Sequence, residues 1–442
     1  MNQQISLPDR SIPILCEAEV LVIGGGSAGV AAAVSAARQG ASVVLAERGG
    51  FLGGAMTAAT LGGICGLYSL VDGQPVQRVW GFAEEVRDRL ERAGGTNGPL
   101  PWLNTASLPY DLFKLKSVLD DLVAEPRLKV LYHAQLIDVT TEDGRVREAV
   151  FRGRSEAFAI RADRFIDCTG DAELTALAGG GVSFDPDNLQ FPSAMFTMGG
   201  VDTTRALQIR REDLHRYFES ALADGYDVPR TAGGLYSIHD GIVHLNITKV
   251  SIDGRSPNTL DPVDLSKAEQ LGRQQIRTYL DIFRKYVPGY EKAFVIDCGS
   301  ELGVRETRRI QGEYRLTRED VLDERRFDDA IAVNCWPIED HGSGRKTKWV
   351  WLTPGGYCQI PYRALLPQKL ENVLVAGRCL SSSHDAQASL RVTANCFSMG
   401  QAAGIAAAMA DREGMHAVDM STLQHRLESQ GQILTPDVTC DA

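Results

Sequence analysis

Glu19-Val20-Leu21-Val22-Ile23-Gly24-Gly25-Gly26-Ser27-Ala28-Gly29 is the stretch that decides the architecture. Its first five residues read as a short buried strand. A glycine turn follows at Gly24 to Gly26. Ala28 to Arg38, rich in small residues, reads as a helix that stops at Gly40. Ala41 to Glu47 is a second strand, so the unit is βαβ and the sheet begins parallel. Each motif glycine has its own task. Gly24 permits the tight turn, Gly26 lets a pyrophosphate approach the backbone, and Gly29 lets helix and strand pack closely. The free N–H groups at the helix start, around Ser27 and Ala28, then hold the anion. Glu47 ends the second strand 18 residues past Gly29. A carboxylate there accepts hydrogen bonds from ribose hydroxyls. The glycine spacing alone recurs by chance in loops. The strand before it, the helix after it and the carboxylate beyond it point to a bound dinucleotide.

The chain around this unit has 442 residues, 44% apolar and 23% charged, with a net charge of −11. That length suggests two closely packed domains. The acidic balance argues against nucleic acid and anionic membrane as partners. It is compatible with a basic pocket for a small-molecule substrate, and it leaves a homo-oligomer open. The nine cysteines, from Cys16 to Cys440, form no C-x-x-C pair, which removes the usual iron–sulfur signature. Scattered and odd in number, they fit a reducing compartment. Met1 to Leu15 shows no signal-peptide pattern, and no apolar run reaches the ~18 residues of a membrane span. A cytoplasmic protein is expected.

Further along, Gly49 to Gly66 is glycine-rich and nearly uncharged, which lets backbone approach a flat ligand. Trp80 to Ala93 and Asp111 to Ala124 have helical periodicity, with a Pro/Asn/Gly loop from Thr96 to Leu108 between them. Lys129 to Thr140 reads as a strand. Asp143-Gly144 signals a hairpin into Val146 to Phe151 and Ala157 to Ile160. Arg164 to Cys168 is another buried strand. From about Gly181 the pattern changes to isolated strands (Gly241 to Val250), loops and one long helix (Asp264 to Tyr286). After Pro354 it reverts, with a strand at Val373 to Ala376 and a small-residue helix at Cys396 to Asp411. The expected architecture is α/β. A discontinuous Rossmann-like domain (15–180 and 355–415) carries an inserted α+β substrate or cap domain (181–354), followed by a C-terminal tail (416–442).

The motif serves FAD and NAD alike. The N-terminal position, the glycine-rich run after the second strand, and the late strand, Gly-Arg turn and helix favour FAD. Glu47-Arg48 with Gly53-Gly54, and Thr169-Gly170-Asp171, resemble the glutathione-reductase-type FAD fold. With Gly303 to Arg309, Ile360 to Arg363, Val375 to Arg378, and Ser389 to Thr393 running into Gly400 to Gly404, the chain resembles the FAD-dependent oxidoreductase family. That family also contains the flavin domain of heterodisulfide reductase, whose cysteine-rich cluster motif is absent here. The resemblance implies FAD bound by Arg48, Gly53, Gly54, Gly170 and Asp171 besides the first motif. It places Gly377 and Arg378 near the ribityl–pyrophosphate. It also implies that Arg391 and Val392 open a last helix whose positive end faces the flavin N1/C2=O edge, where reduced flavin carries negative charge.

Arg305, Glu306, Arg308 and Arg309 form a dense charged run. Its plain reading is a solvated helix face or an internal ion-pair net. The sharper reading makes Arg305 a carboxylate clamp, with Arg363 as a second anion ligand from the domain junction. His384 precedes the flavin-facing helix and is a candidate base near flavin N5, while His341 is a second loop histidine. Either also reads as a hydrogen-bonded structural residue. Cys65, in the glycine-rich stretch, reads as a small buried side chain, with a reactive thiol or a flavin attachment point as the sharper alternative. No group of residues has metal-ligand spacing. No second strand–GxGxxG–helix unit suggests an NAD(P)H domain. The leading expectation is hydride transfer between flavin N5 and a small organic substrate. The alternative is a flavin electron-transfer component of a larger redox complex.

Overall fold

The computed structural model describes residues 11–342, 344–411 and 414–436. The first strand, Ile14–Ile23, is flanked in parallel by Val43–Ala46 on one side and by Ala157–Asp167 on the other. Leu128–Leu131 extends the parallel sheet beyond Val43–Ala46. The strand Ala157–Asp167 divides its second edge between two partners. Its first half pairs antiparallel with Arg145–Arg152, and its last three residues pair in parallel with Val373–Val375. Gln135–Glu142 completes the hairpin side of the sheet. Where the parallel strands meet, at Val20–Ile23, Val43–Ala46 and Val373–Val375, they are buried and consist almost entirely of Val, Leu and Ile.

Ser27–Arg38, the first helix, packs against the late helix Thr393–Met409 on one face of this sheet. Both are dominated by Ala and Gly for a steric reason. A Cβ on Gly400 would meet the Ala28 carbonyl oxygen at 2.1 Å, and one on Gly404 the Ala32 oxygen at 2.2 Å. The two backbones touch. Leu316, Ile331, Ile338 and Ile360 join this core, as do Leu423 and Leu427 of the helix Met420–Ser429.

A second core lies within residues 194–302. An antiparallel sheet runs in the order Gly234–Tyr236, Ile242–Asn246, Phe196–Gly199, Phe294–Cys298. The helix Pro262–Tyr286 covers it with Ile276, Tyr279 and Phe283. Asp261 caps that helix by accepting from the Val263 and Asp264 amides, and Pro262 sits in its first turn, where its missing N–H costs nothing.

Three expectations about elements need correction. Thr96 to Leu108 is a short hairpin rather than a loop, Leu100–Trp102 pairing with Thr105–Pro109. Its Pro101 is tolerated because that strand is at the sheet edge. Lys129 to Thr140 is two strands, broken where His133 turns to φ +57°. Ala157 to Cys168 is one strand to Asp167, since its polar residues Arg161, Asp163 and Arg164 lie at exposed or half-exposed positions. No helix among the described residues is long and apolar enough to cross a membrane.

Candidate active site

A cavity of about 1170 Å³ runs from the first glycine turn to the second core. That exceeds the ~300–1,000 Å³ of ordinary ligand pockets. The turn residues Gly24, Gly26, Ser27 and Ala28 line one end. Gly29 stands behind them, against Gly24 and Cys168. The first helix starts without a side-chain cap, so its leading N–H groups are free. A Cβ on Gly26 would find only the Gly54 Cα, at 3.9 Å. The space over this turn is therefore open, as a pyrophosphate requires.

Glu47 lines the same end and is only 9% exposed. Its Oε2 accepts the Gly25 amide and its Oε1 the Gly49 amide, both at 2.6 Å. A carboxylate has about four acceptor sites, so two remain for ribose hydroxyls. Arg48 reaches across to Glu301 in an ion pair. Gly54 borders the cavity, while Gly53 holds φ +108° and donates its N–H to Gly25 O, locking the two glycine turns together.

Gly170, Asp171, Gly377 and Arg378 meet in the middle. Arg378 donates to Gly170 O at 2.7 Å, Val304 O at 2.8 Å and Asp171 Oδ1 at 2.5 Å. The guanidinium thus ties the turn after Ala157–Asp167 to the chain entering the Arg305 run. Burial pushes the Asp171 carboxyl up, but Arg378 and Thr307 outweigh it and hold the group below its ordinary value.

Arg391 and Val392 lie at the mouth of the late helix, whose N-cap, Val392, provides no side-chain cap. Arg391 Nη2 donates to Gln190 Oε1 at 3.2 Å. A second free helix end thus faces the cavity, suited to the negative charge that a reduced flavin carries.

The run Gly303 to Arg309 is not helical, and only its last residue enters a strand, Arg309–Ile310. Arg305 lines the cavity, and its Nη1 donates to Phe191 O and Ser193 Oγ. Glu306 turns away and pairs with Arg309 inside the protein. The ion-pair reading thus describes Glu306 and Arg309, while Arg305 borders the cavity.

Two expected residues are not in the cavity. His384 stands with Nδ1 2.8 Å from Glu306 Oε2 and Nε2 3.8 Å from Asp340. It opens its own short helix, His384–Leu390, beside the buried Glu306. Arg363 is half-exposed and makes a fork to Asp329 at 2.9 and 3.1 Å. The short 3₁₀ turn Tyr362–Leu365 carries it outward. His341 does line the cavity, with Nε2 2.8 Å from Glu339 Oε1. Burial and the nearby Arg305 hold its imidazole well below the ordinary value, so it is neutral. Cys65 also lines the cavity, its thiol pushed up to about 12 by burial.

Sequence reasoning missed Arg230, Glu339 and the aromatic wall of Trp102, Tyr236 and Trp336. Arg230 belongs to no spacing pattern. The pair Glu339 and His341, two apart on an extended segment, was the one available signal.

The model of a family described as FAD dependent oxidoreductase matches residues 19–427. No curated protein matches the sequence at a significant level. Among solved structures, a geranylgeranyl bacteriochlorophyll reductase-like protein from Thermoplasma acidophilum is 14% identical, at a TM-score of 0.46, over 93% of this chain and 82% of its own. A flavoprotein/dehydrogenase from Cytophaga hutchinsonii is 11% identical, at 0.46, over 93% and 84%. The p-nitrophenol 4-monooxygenase PnpA from Pseudomonas putida DLL-E4 is 12% identical, at 0.40, over 94% and 97%. With the family model spanning both glycine turns, the Arg305 run and the late helix, the chain belongs to the FAD-dependent oxidoreductase family and takes FAD as its cofactor.

Proposed function

We propose that this oxidoreductase passes a hydride between flavin N5 and a small organic substrate held between the two cores. The single observation that carries this is the continuity of the cavity. Its glycine-turn end and its end at Arg230, Tyr236 and Trp336 form one space. Bound FAD supplies the hydride-accepting and hydride-donating ring. The chain does the rest. Gly24 to Ala28 and the free start of the first helix hold the pyrophosphate, and Glu47 takes the ribose. Gly170, Gly377 and the late helix from Val392 flank the ring end. Trp102, Tyr236 and Trp336 wall the substrate end and exclude water. A walled chamber favours a small substrate over a protein electron partner.

The discontinuous domain plan read from the sequence is kept as part of this proposal, with 181–354 as the cap. So is the glutathione-reductase-type arrangement, which the parallel strands around Ile14–Ile23 and the attached hairpin support. The test is anaerobic. Purified, yellow protein is mixed with a panel of metabolites, and bleaching of the flavin absorbance is followed. A metabolite that bleaches it at a catalytic rate supports hydride transfer. Colourless protein that cannot be reconstituted with FAD ends the reading.

A further inference from the structure

We propose that the cap-side end of the cavity binds an organic acid, with Arg230 and Arg305 holding its carboxylate and the aromatic wall holding its apolar body. This deepens the proposed function and rests on it. Arg230 is 6% exposed and lines the cavity, yet its guanidinium has no hydrogen-bond or ion-pair partner among the described residues. Arg305 is 8% exposed. With Nη1 engaged by Phe191 and Ser193, its Nε and Nη2 have no protein acceptor among the described residues. Buried guanidinium groups left this way are costly unless something anionic completes them.

Glu339 does not complete them. Its Oε1 receives the His341 ring nitrogen at 2.8 Å and its Oε2 the Trp336 indole N–H at 3.2 Å. Both are neutral donors. Burial raises the Glu339 carboxyl, but the His341 bond, Arg391 and Arg305 bring it down to about 2, so it is ionised. Three guanidiniums, Arg230, Arg305 and Arg391, therefore face one carboxylate. Arg391 sits at the mouth of the late helix, which would hold the negative charge of a reduced flavin on the proposed reading. Arg230 and Arg305 remain for the substrate.

The guanidinium fork matches a carboxylate in two parallel hydrogen bonds. Trp102, Tyr236 and Trp336 border the same space, and Trp349 braces two of them edge-on, at 5.1 Å from Trp102 and 6.4 Å from Trp336. A flat, apolar body attached to the anion fits this wall better than a compact inorganic anion does.

The probe is benzoate, titrated into the oxidised, FAD-loaded protein while the flavin absorbance is recorded. Benzamide, its neutral isostere, and inorganic phosphate are run alongside. Benzoate is expected to perturb the spectrum saturably, with benzamide at least tenfold weaker and phosphate unable to displace benzoate. Arg230→Met is expected to weaken benzoate at least tenfold at full FAD content. Should that variant lose FAD, the benzoate and benzamide comparison on the wild type decides. Equal affinity for the two, displacement by phosphate, or no perturbation by benzoate overturns the proposal. Protein without bound flavin would instead sink the functional reading beneath it.

Discussion

A Cβ built on Gly29 would stand 1.7 Å from the carbonyl oxygen of Gly24. The helix start and the turn before it are in backbone contact, and no side chain of any kind fits between them. Gly26, three residues earlier, has open space instead. The two glycines of one motif should therefore fail differently. Gly29→Ala should leave little folded protein. Gly26→Ala should give a stable apoprotein that binds FAD at least tenfold more weakly, its methyl occupying the room of the pyrophosphate. Thermal melts without FAD, followed by FAD titration, check both. An apoprotein equally damaged by either change would remove the distinction.

Glu47 braces two backbone amides and also lines the glycine-turn end of the cavity, where the proposed function puts the ribose. In Glu47→Gln one acceptor becomes a donor, pointed at an N–H group. FAD affinity should drop by about 1–3 kcal/mol, the cost of a charged hydrogen bond left unmade. The FAD dissociation constant, measured by quenching of flavin fluorescence, is the readout. A wild-type value would mean that Glu47 serves neither loop nor ribose.

Arg363 and His384 are prominent in the sequence and lie outside the cavity. Arg363→Ala breaks an exposed fork to Asp329 and should cost at most about 1 kcal/mol of stability. His384→Ala removes a neighbour of the buried Glu306 and should cost about 1–2 kcal/mol. Neither should change the FAD content or the rate of substrate-driven flavin reduction. A slowed reduction in the His384 variant at full flavin content would return that residue to the reaction.

The His341 imidazole is held well below its ordinary value near 6.5 by burial and Arg305. The folded chain stays neutral there while the unfolded chain takes up a proton below about pH 6.5. Its contribution is thus fully present above that pH and shrinks as pH falls, by about 1.4 kcal/mol per unit. Urea unfolding at pH 7.5, 6.5 and 5.5 should show this slope, and His341→Gln should flatten it. Parallel curves for the two proteins would mean that another group carries the loss.

The first βαβ unit was legible because its signals agree. Apolar run, glycine turn, small-residue helix and second apolar run each occupy the expected place, and the observed helix Ser27–Arg38 starts one residue before the expected one. Gly24, Gly26 and Glu47 were marked by local pattern, Gly170 and Arg378 by the family resemblance, and all line the cavity. The substrate end was not legible. Trp102, Arg230 and Glu339 come from three segments far apart in the chain and converge only through tertiary packing. Arg363 misled because adjacency to the returning strand says nothing of direction. The turn Tyr362–Leu365 buries Tyr362 and Leu365 and sends Arg363 to Asp329. Thr96 to Leu108 misled because its Pro and Asn sit at an edge strand and a tight bend, where strand chemistry resembles loop chemistry.

The strand Ala157–Asp167 pairs in parallel with Val373–Val375, whose first residue follows it by some 200 positions. During synthesis at about 5–20 residues per second, that edge of Ala157–Asp167 waits at least about ten seconds for its neighbour. The late helix, which must pack backbone to backbone on the first, emerges later still. Ala28 and Ala32 therefore leave the ribosome with their packing partner unmade, on a helix whose faces are nearly all apolar. The nascent chain exposes this surface until Thr393–Met409 has been translated, which makes the first helix a segment for a chaperone to shield.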